Sequence, residues 1–295
     1  MRAVLLPAAV LLALPCLCAG AEADSGARTP VLKTRHSGRG PRVVAGQQAA
    51  RRAAVSFGAY VLRAVAAMPR GGGYSTDDDA MEALACKALV WDAEAQMLRI
   101  DPQQVQPTFC SAACYVVLLH ALKQWSVACK RPLPPQAWQL MAASLRQPDG
   151  LGVWGRANAN GPGFAKLIAD TRAGVNFTSP SLARPGDFLK FFWSDAIGAE
   201  ERGHMVVFLG TEKVKDKVCI RYWSANKPDG CSIRSVPLES MHHLIFTRIT
   251  HPEAFSNVSR LPASDSLLEQ MQQRAFTWQE VVSACRIILP STRRP

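Results

Sequence analysis

Gly203-His204-Met205-Val206-Val207-Phe208-Leu209-Gly210 is the stretch on which the reading of this 295-residue chain turns. The run is apolar, rich in Val and aromatic residues, closed at both ends by glycine, and too short for a helix of ordinary length. In an extended chain, alternate side chains face opposite ways. His204, Val206 and Phe208 therefore share one face of a strand, and Met205, Val207 and Leu209 share the other. Four further runs have the same texture: residues 187–193, 218–225, 231–236 and 244–249. Short connections between them predict antiparallel neighbours. Residues 213–217 form a charged turn, and Lys227-Pro228-Asp229-Gly230 carries the residue order of a type I turn.

Upstream of the strands the periodicity is helical. Val55, Ala59, Leu62 and Ala66 predict a helix over 50–68, stopped by Pro69 and three glycines. Ser75 and Thr76 cap a second helix, whose positive end is covered by Asp77, Asp78 and Asp79. A short hairpin is expected over 88–100. Pro107 and a Thr108 cap open a helix running to about Trp125, and another is expected over 136–145. Residues 150–163 read as a long Gly/Asn loop before a helix over 164–172. After residue 250, Ser266…Glu269 and Thr277…Glu280 each match a capping box. Helices first and strands second make an α+β domain over 49–250, its helices packed on a five-stranded antiparallel sheet, with a helical extension over 251–295.

The N-terminus reads as a secretory signal. Arg2 is followed by an apolar run to Leu14 and by the small residues Ala19-Gly20-Ala21. Residues 1–21 are the expected signal peptide and 22–48, rich in Gly, Arg, Pro and Ser, a flexible leader. A lipid anchor on Cys16 or Cys18 is the alternative. No later stretch is read as a membrane span, so a soluble protein, secreted or periplasmic, is expected. The formal charge is +11. Such a surface favours anionic partners, but the excess arginine lies in loops and tails, and no basic stripe interleaves with aromatics. Nucleic acid is therefore not an expected partner. Seven cysteines follow the signal region: Cys86, Cys110, Cys114, Cys129, Cys219, Cys231 and Cys285. An odd number in an exported chain predicts a free thiol, and the oxidising compartment predicts bridges among some of the others.

Cys110 falls in the first turn of its helix, where free N–H groups and the helix dipole stabilise a thiolate. Below it Ala113, Cys114, Val117 and Ala121 form a small or apolar stripe, which places the thiol at the rim between helix and sheet. Cys114, one turn deeper, is the alternative nucleophile. His204, at the open end of its strand, is positioned to act as a base. On the next strand Tyr222, Ser224 and Asn226 share a face, and either Asn226 or Ser224 could hold the far imidazole nitrogen. Trp154, Arg156, Asn158 and Asn160 in the Gly/Asn loop are candidate substrate-groove residues. Asp187 reads as a turn stabiliser, and the acidic triplet at 77–79 as helix capping rather than a metal site. His120, His242, His243 and His251 lack ligand spacing. There is no His-Glu-x-x-His and no Gly-x-Ser-x-Gly, so zinc peptidases and serine hydrolases fit poorly, and no metal or cofactor is expected. Asn176-Phe-Thr178 and Asn257-Val-Ser259 match glycosylation sequons, a pattern short enough to occur often by chance.

The order of Pro107-Thr-Phe-Cys-Ser111, Arg184-Pro-Gly-Asp187, Gly203-His-Met-Val-Val-Phe-Leu-Gly210 and Trp223-Ser-Ala-Asn226 resembles that of the NlpC-type and CHAP cysteine peptidases and amidases. The resemblance covers residues 104 to 250. It implies a papain-like fold and cleavage of amide bonds in bacterial cell walls, so that peptidoglycan stem peptide becomes the expected substrate. It also implies Cys110 as nucleophile, His204 as base, and Asn226 or Ser224 as the orienting residue. Gln104 lies where such enzymes place an oxyanion-hole side chain, with the Cys110 N–H as the other donor. The chain departs from the pattern in two ways. Cys110 and His204 are widely separated, and Ser224 stands where CHAP members carry glutamate. The competing expectation is a non-catalytic binding or envelope-assembly module on the same scaffold.

Overall fold

The computed structural model describes residues 55–290. The expected signal peptide and leader, and the first residues of the expected 50–68 helix, lie outside the described residues. The first helix, α1 (Phe57–Ala66), buries Phe57, Tyr60, Val61 and Ala64. The buried stripe is thus rotated from the one expected: Val55 is 52% exposed, because the aromatic side chains outcompete the alanines for the core. A two-residue strand, β1 (Gly71–Gly72), follows. Next come α2 (Asp78–Glu82), continued by a π-helical stretch Ala83–Ala88, and a hairpin of β2 (Leu89–Asp92) and β3 (Met97–Ile100). Asp92 Oδ1 accepts from the N–H groups of Glu94 and Ala95, which shapes the hairpin turn.

The central helix is α3 (Cys110–Cys129). Twelve of its 20 residues are buried, on all sides rather than along one stripe. It is long and apolar enough to cross a membrane by length and composition, contrary to the expectation that no such stretch exists. Here those side chains form the middle of the largest apolar cluster. Three shorter helices follow: α4 (Pro135–Leu140), α5 (Gly152–Asn158) and α6 (Gly163–Thr171). The expected loop over 150–163 is therefore corrected, since α5 occupies half of it. Its sequence is poor in helix formers, and tertiary contacts override that propensity: Trp154 and Arg156 are each at most 2% exposed.

The strands are β4 (Gly174–Phe177), β5 (Phe188–Phe192), β6 (Gly203–Val214), β7 (Lys217–Asn226), β8 (Gly230–Pro237) and β9 (His243–Ile249). The helices α7 (Ser266–Glu269) and α8 (Trp278–Ala284) precede a last short strand, β10 (Ile287–Ile288). They build one sheet in the order β1-β8-β7-β6-β5-β9-β4-β10. The five expected strands are its antiparallel centre. The expectation of a five-stranded antiparallel sheet is corrected to eight strands, mixed, because β10 runs parallel to β4. The added strands are only two to four residues long, too brief to show alternation in the sequence. β6 and β7 are joined at Lys215 and Asp216, both at positive φ, as in a type I′ hairpin. The Lys227–Pro228 peptide, in the β7–β8 turn, is cis. At Gly186, φ is +91° and a Cβ would stand 2.4 Å from the carbonyl oxygen of Gly58. Glycine there lets the turn before β5 sit against the α1 backbone.

The C-terminal segment is bound to the helices by a buried charge cluster. Arg156 Nη1 lies 2.8 Å from Asp265 Oδ2, and Nη2 donates to the carbonyls of Pro262 and Ser264. Lys166 bridges Asp265 and Asp170 at 3.0 and 2.9 Å. Asp265, not Ser266, caps α7, accepting from the N–H groups of Leu267 and Leu268. The second capping box, Thr277 with Glu280, is complete. Burial pushes the Asp265 carboxyl up, but Lys166, the Leu268 N–H and Arg156 together hold it below its usual value. Removing Arg156 would strand that carboxylate. Arg156→Ala is therefore expected to lose about 3–5 kcal/mol of unfolding free energy, measured by urea denaturation. A loss below 1 kcal/mol would show that the cluster is solvated.

Candidate active site

Cys110 is the first residue of α3, and the chain enters it extended. Phe109 occupies the cap position with no side-chain cap, so Thr108 is not the cap expected. Thr108 instead pins the entrance through its backbone: its N–H donates to Gly73, and its carbonyl accepts from Ser75. This tie sets Tyr74 beside the helix start, where burial and the neighbouring Cys110 raise the pKa of its hydroxyl. Nothing in the sequence marked Tyr74 except its place after the three glycines, which were read only as a helix stop.

The opposite wall is β6. Cys110 and Met205 line the same cavity, and both the His204 side chain and the Met205 N–H favour the thiolate of Cys110. The Met205 amide is available because of the strand pairing. The β6–β7 register begins at Val207–Trp223, so Met205 and Ala225 do not pair. The Met205 carbonyl, which would have bonded to β7, accepts instead from Ser224 Oγ at 2.7 Å. Ser224 is fully buried in that duty, so it is not the group that orients His204.

Asn226 is. Its Oδ1 lies 3.1 Å from His204 Nε2. Its Nδ2 donates to the carbonyls of Ser224 and Ser232 and to Ser232 Oγ, at 2.8, 3.2 and 3.1 Å. Three acceptors around the nitrogen turn the amide oxygen toward the imidazole. An acceptor at Nε2 requires a proton there, which leaves Nδ1 as the basic nitrogen for Cys110. Phe191 and Tyr222 hold the ring edge-on, each with centroids 5.7 Å away.

Burial raises the Cys110 pKa, but His204, the Met205 N–H and the charge of Lys190 outweigh it and bring the thiol down to about 7. Cys114 shows the opposite balance. It is fully buried, and desolvation, with Cys110 and Cys231 adding to it, holds its thiol well above the usual value. All seven described cysteines are free, which corrects the expectation of bridges among them.

The remaining candidates are dispersed. A cavity of about 590 Å³ opens beside Cys110, with Asn158 and Asn160 in its wall. Asn158 Oδ1 accepts from Ser111 Oγ at 2.7 Å, beside the thiol. Trp154 also borders the cavity but is wholly buried against Tyr115, at 5.1 Å between centroids. Arg156 is withdrawn into its ion pairs, and Gln104 is exposed and outside the cavity. The groove role expected of Arg156 and the oxyanion role of Gln104 are therefore corrected. The first was misread because a buried arginine cluster depends on Asp265, 109 positions away. For the second, the chain between Gln104 and Cys110 turns the side chain outward. Asp187 is a turn residue that also pairs with Arg248 at 2.7 Å. Asn176, in the sequon match, is 2% exposed and donates to Ala165 and Cys285 carbonyls. His242 and His243 flank Asp195 at 3.4 and 3.3 Å on the surface.

The balance at Cys110 has a pH signature. Its alkylation rate should rise with an apparent pKa of about 7, and in His204→Ala the midpoint should move past the ordinary thiol value, because burial is then opposed only weakly. A folded-state pKa below the unfolded one means that Cys110 ionisation stabilises the fold above the unfolded thiol range, and that this contribution disappears as pH falls through about 7. An alkylation midpoint unchanged by His204→Ala would break the pairing. No protein-family model, no curated protein and no solved structure matches this chain.

Proposed function

We propose that the protein is a papain-like cysteine hydrolase that cleaves amide bonds, acting outside the cytoplasm, with cell-wall peptide as its substrate class. The observation that carries the reading is the convergence on one thiol of His204, the Met205 N–H and the start of α3, with Asn226 holding the far imidazole nitrogen. The resemblance to NlpC-type and CHAP enzymes supplies the substrate class.

In this reading His204 Nδ1 takes the Cys110 proton, and the thiolate attacks the substrate carbonyl carbon. The oxygen that becomes negative is met by the Cys110 N–H, which as a first-turn amide has no intrahelical partner, and by the Tyr74 hydroxyl. The imidazolium returns its proton to the departing amine as the C–N bond breaks, leaving a thioester on Cys110. Water, deprotonated by His204, then attacks the thioester carbonyl and frees the acid and the thiol. Asn226 keeps the imidazole oriented throughout.

Purified protein incubated with peptidoglycan fragments should release new amino termini, detected by mass spectrometry. Cys110→Ala should reduce the rate by about three orders of magnitude or more with the fold unchanged. Tyr74→Phe should lower kcat by roughly 10- to 100-fold with little change in KM, since its bond forms to the developing oxyanion. A folded Cys110→Ala variant with full activity would overturn the reading in favour of a binding module.

A further inference from the structure

Four charged side chains line the cavity beside Cys110: Arg146, Asp149, Lys190 and Glu201. Lys190 and Glu201 pair with each other and are largely buried. Asp149 has no ion-pair partner among the described residues. What holds it is neutral. Gln272 Nε2 donates to Oδ2 at 2.7 Å, the Asn160 N–H reaches the same oxygen at 3.4 Å, and Asn158 Nδ2 reaches Oδ1 at 3.4 Å. Neutral donors from two segments orient the carboxylate without cancelling its charge. Arg146, on the same loop, is exposed and makes no ion pair with it.

The position of this carboxylate relates it to the chemistry. Asn158 also accepts from Ser111 Oγ, so Asp149 stands two hydrogen bonds from the residue after Cys110. In the same cavity wall the buried indole Nε1–H of Trp154 finds no acceptor among the described residues.

We infer that Asp149 is the subsite for a primary ammonium group, so that the substrate carries a free amine close to the bond Cys110 attacks. This rests on the function proposed above and narrows its substrate class. An ammonium fits better than a guanidinium. Oδ2 already accepts two donors and Oδ1 one, which leaves one lone pair, on Oδ1, for a compact cation rather than the paired edge that a guanidinium fork requires. The chain's charge of +11 repels cations at long range, so selection for one has to be local.

The test uses aminoalkyl methanethiosulfonates. The Cys110 thiolate attacks their sulfenyl sulfur, a disulfide to the probe forms, and methanesulfinate leaves. Labelling of the Cys110 peptide is followed by mass spectrometry for the aminoethyl probe, the aminopentyl probe and the neutral propyl probe. One of the two amines should label roughly five- to tenfold faster than the propyl probe. Asp149→Asn should bring the ratio of amine to propyl labelling rates to one or below. A preference for the aminoethyl probe assigns the subsite to an amino terminus next to the bond, and a preference for the aminopentyl probe assigns it to a side-chain amine. Rapid propyl labelling with no amine preference, or a preference that survives Asp149→Asn, overturns the inference and leaves the hydrolase reading standing. A Cys110 that no probe labels overturns both.

Discussion

The arrangement of the site depends on one missing rung in the sheet. β6 and β7 pair from Val207–Trp223 onward, and the next rung, Met205 with Ala225, is not made. A backbone N–H and C=O left open inside a protein have to be satisfied elsewhere. Ser224 Oγ takes the carbonyl, and the N–H is left to act on the Cys110 thiol, whose pKa it lowers. The gap is thus filled by a side chain from each of two elements, and in filling it the start of α3 is drawn against the strand that carries His204. Asn226, one step past the open rung on β7, remains close enough to hold the imidazole.

The same geometry sets the electrostatics. Cys110 and Cys114 are one helical turn apart, yet their thiols shift in opposite directions. Burial acts on both. Only Cys110 gains an imidazole, a backbone N–H and a nearby lysine charge, and together these exceed the desolvation term. The cavity wall opposite is built by a segment far away in the chain. Arg156 and Lys166 fasten residues around Asp265, and this brings Gln272 to Asp149. The C-terminal residues 252–288 therefore pack into the body of the protein and shape its cavity rather than decorating it.

Much of the fold was legible where side-chain period is strong. The five central strands, the β2–β3 hairpin, the position of Cys110 at a helix start and the Thr277–Glu280 box all follow from local pattern. Legibility failed where the deciding contact is distant. The helix α5 lies in a stretch with two glycines among seven residues, and it exists because Trp154 and Arg156 are buried. The short strands β1, β4 and β10 depend on partners, not on their own two to four residues. The membrane-like composition of α3 reflects its central place in the core, which composition alone does not distinguish from a membrane span.

For the site, the sequence by itself determined which residue types could do thiol chemistry and on which elements they lie: a cysteine opening a helix, a histidine opening a strand, and an amide on the following strand. Short-range periodicity suffices for that, because a side chain's face follows from the backbone repeat. Only the tertiary structure showed that His204 acts on Cys110 and not on Cys114, that Asn226 and not Ser224 meets the imidazole, and that Tyr74 and not Gln104 neighbours the thiol. Each of those choices depends on which groups from separate segments come within a hydrogen bond of one another. Pairing register and burial set that, and both are properties of the assembled sheet and core rather than of any local run of residues.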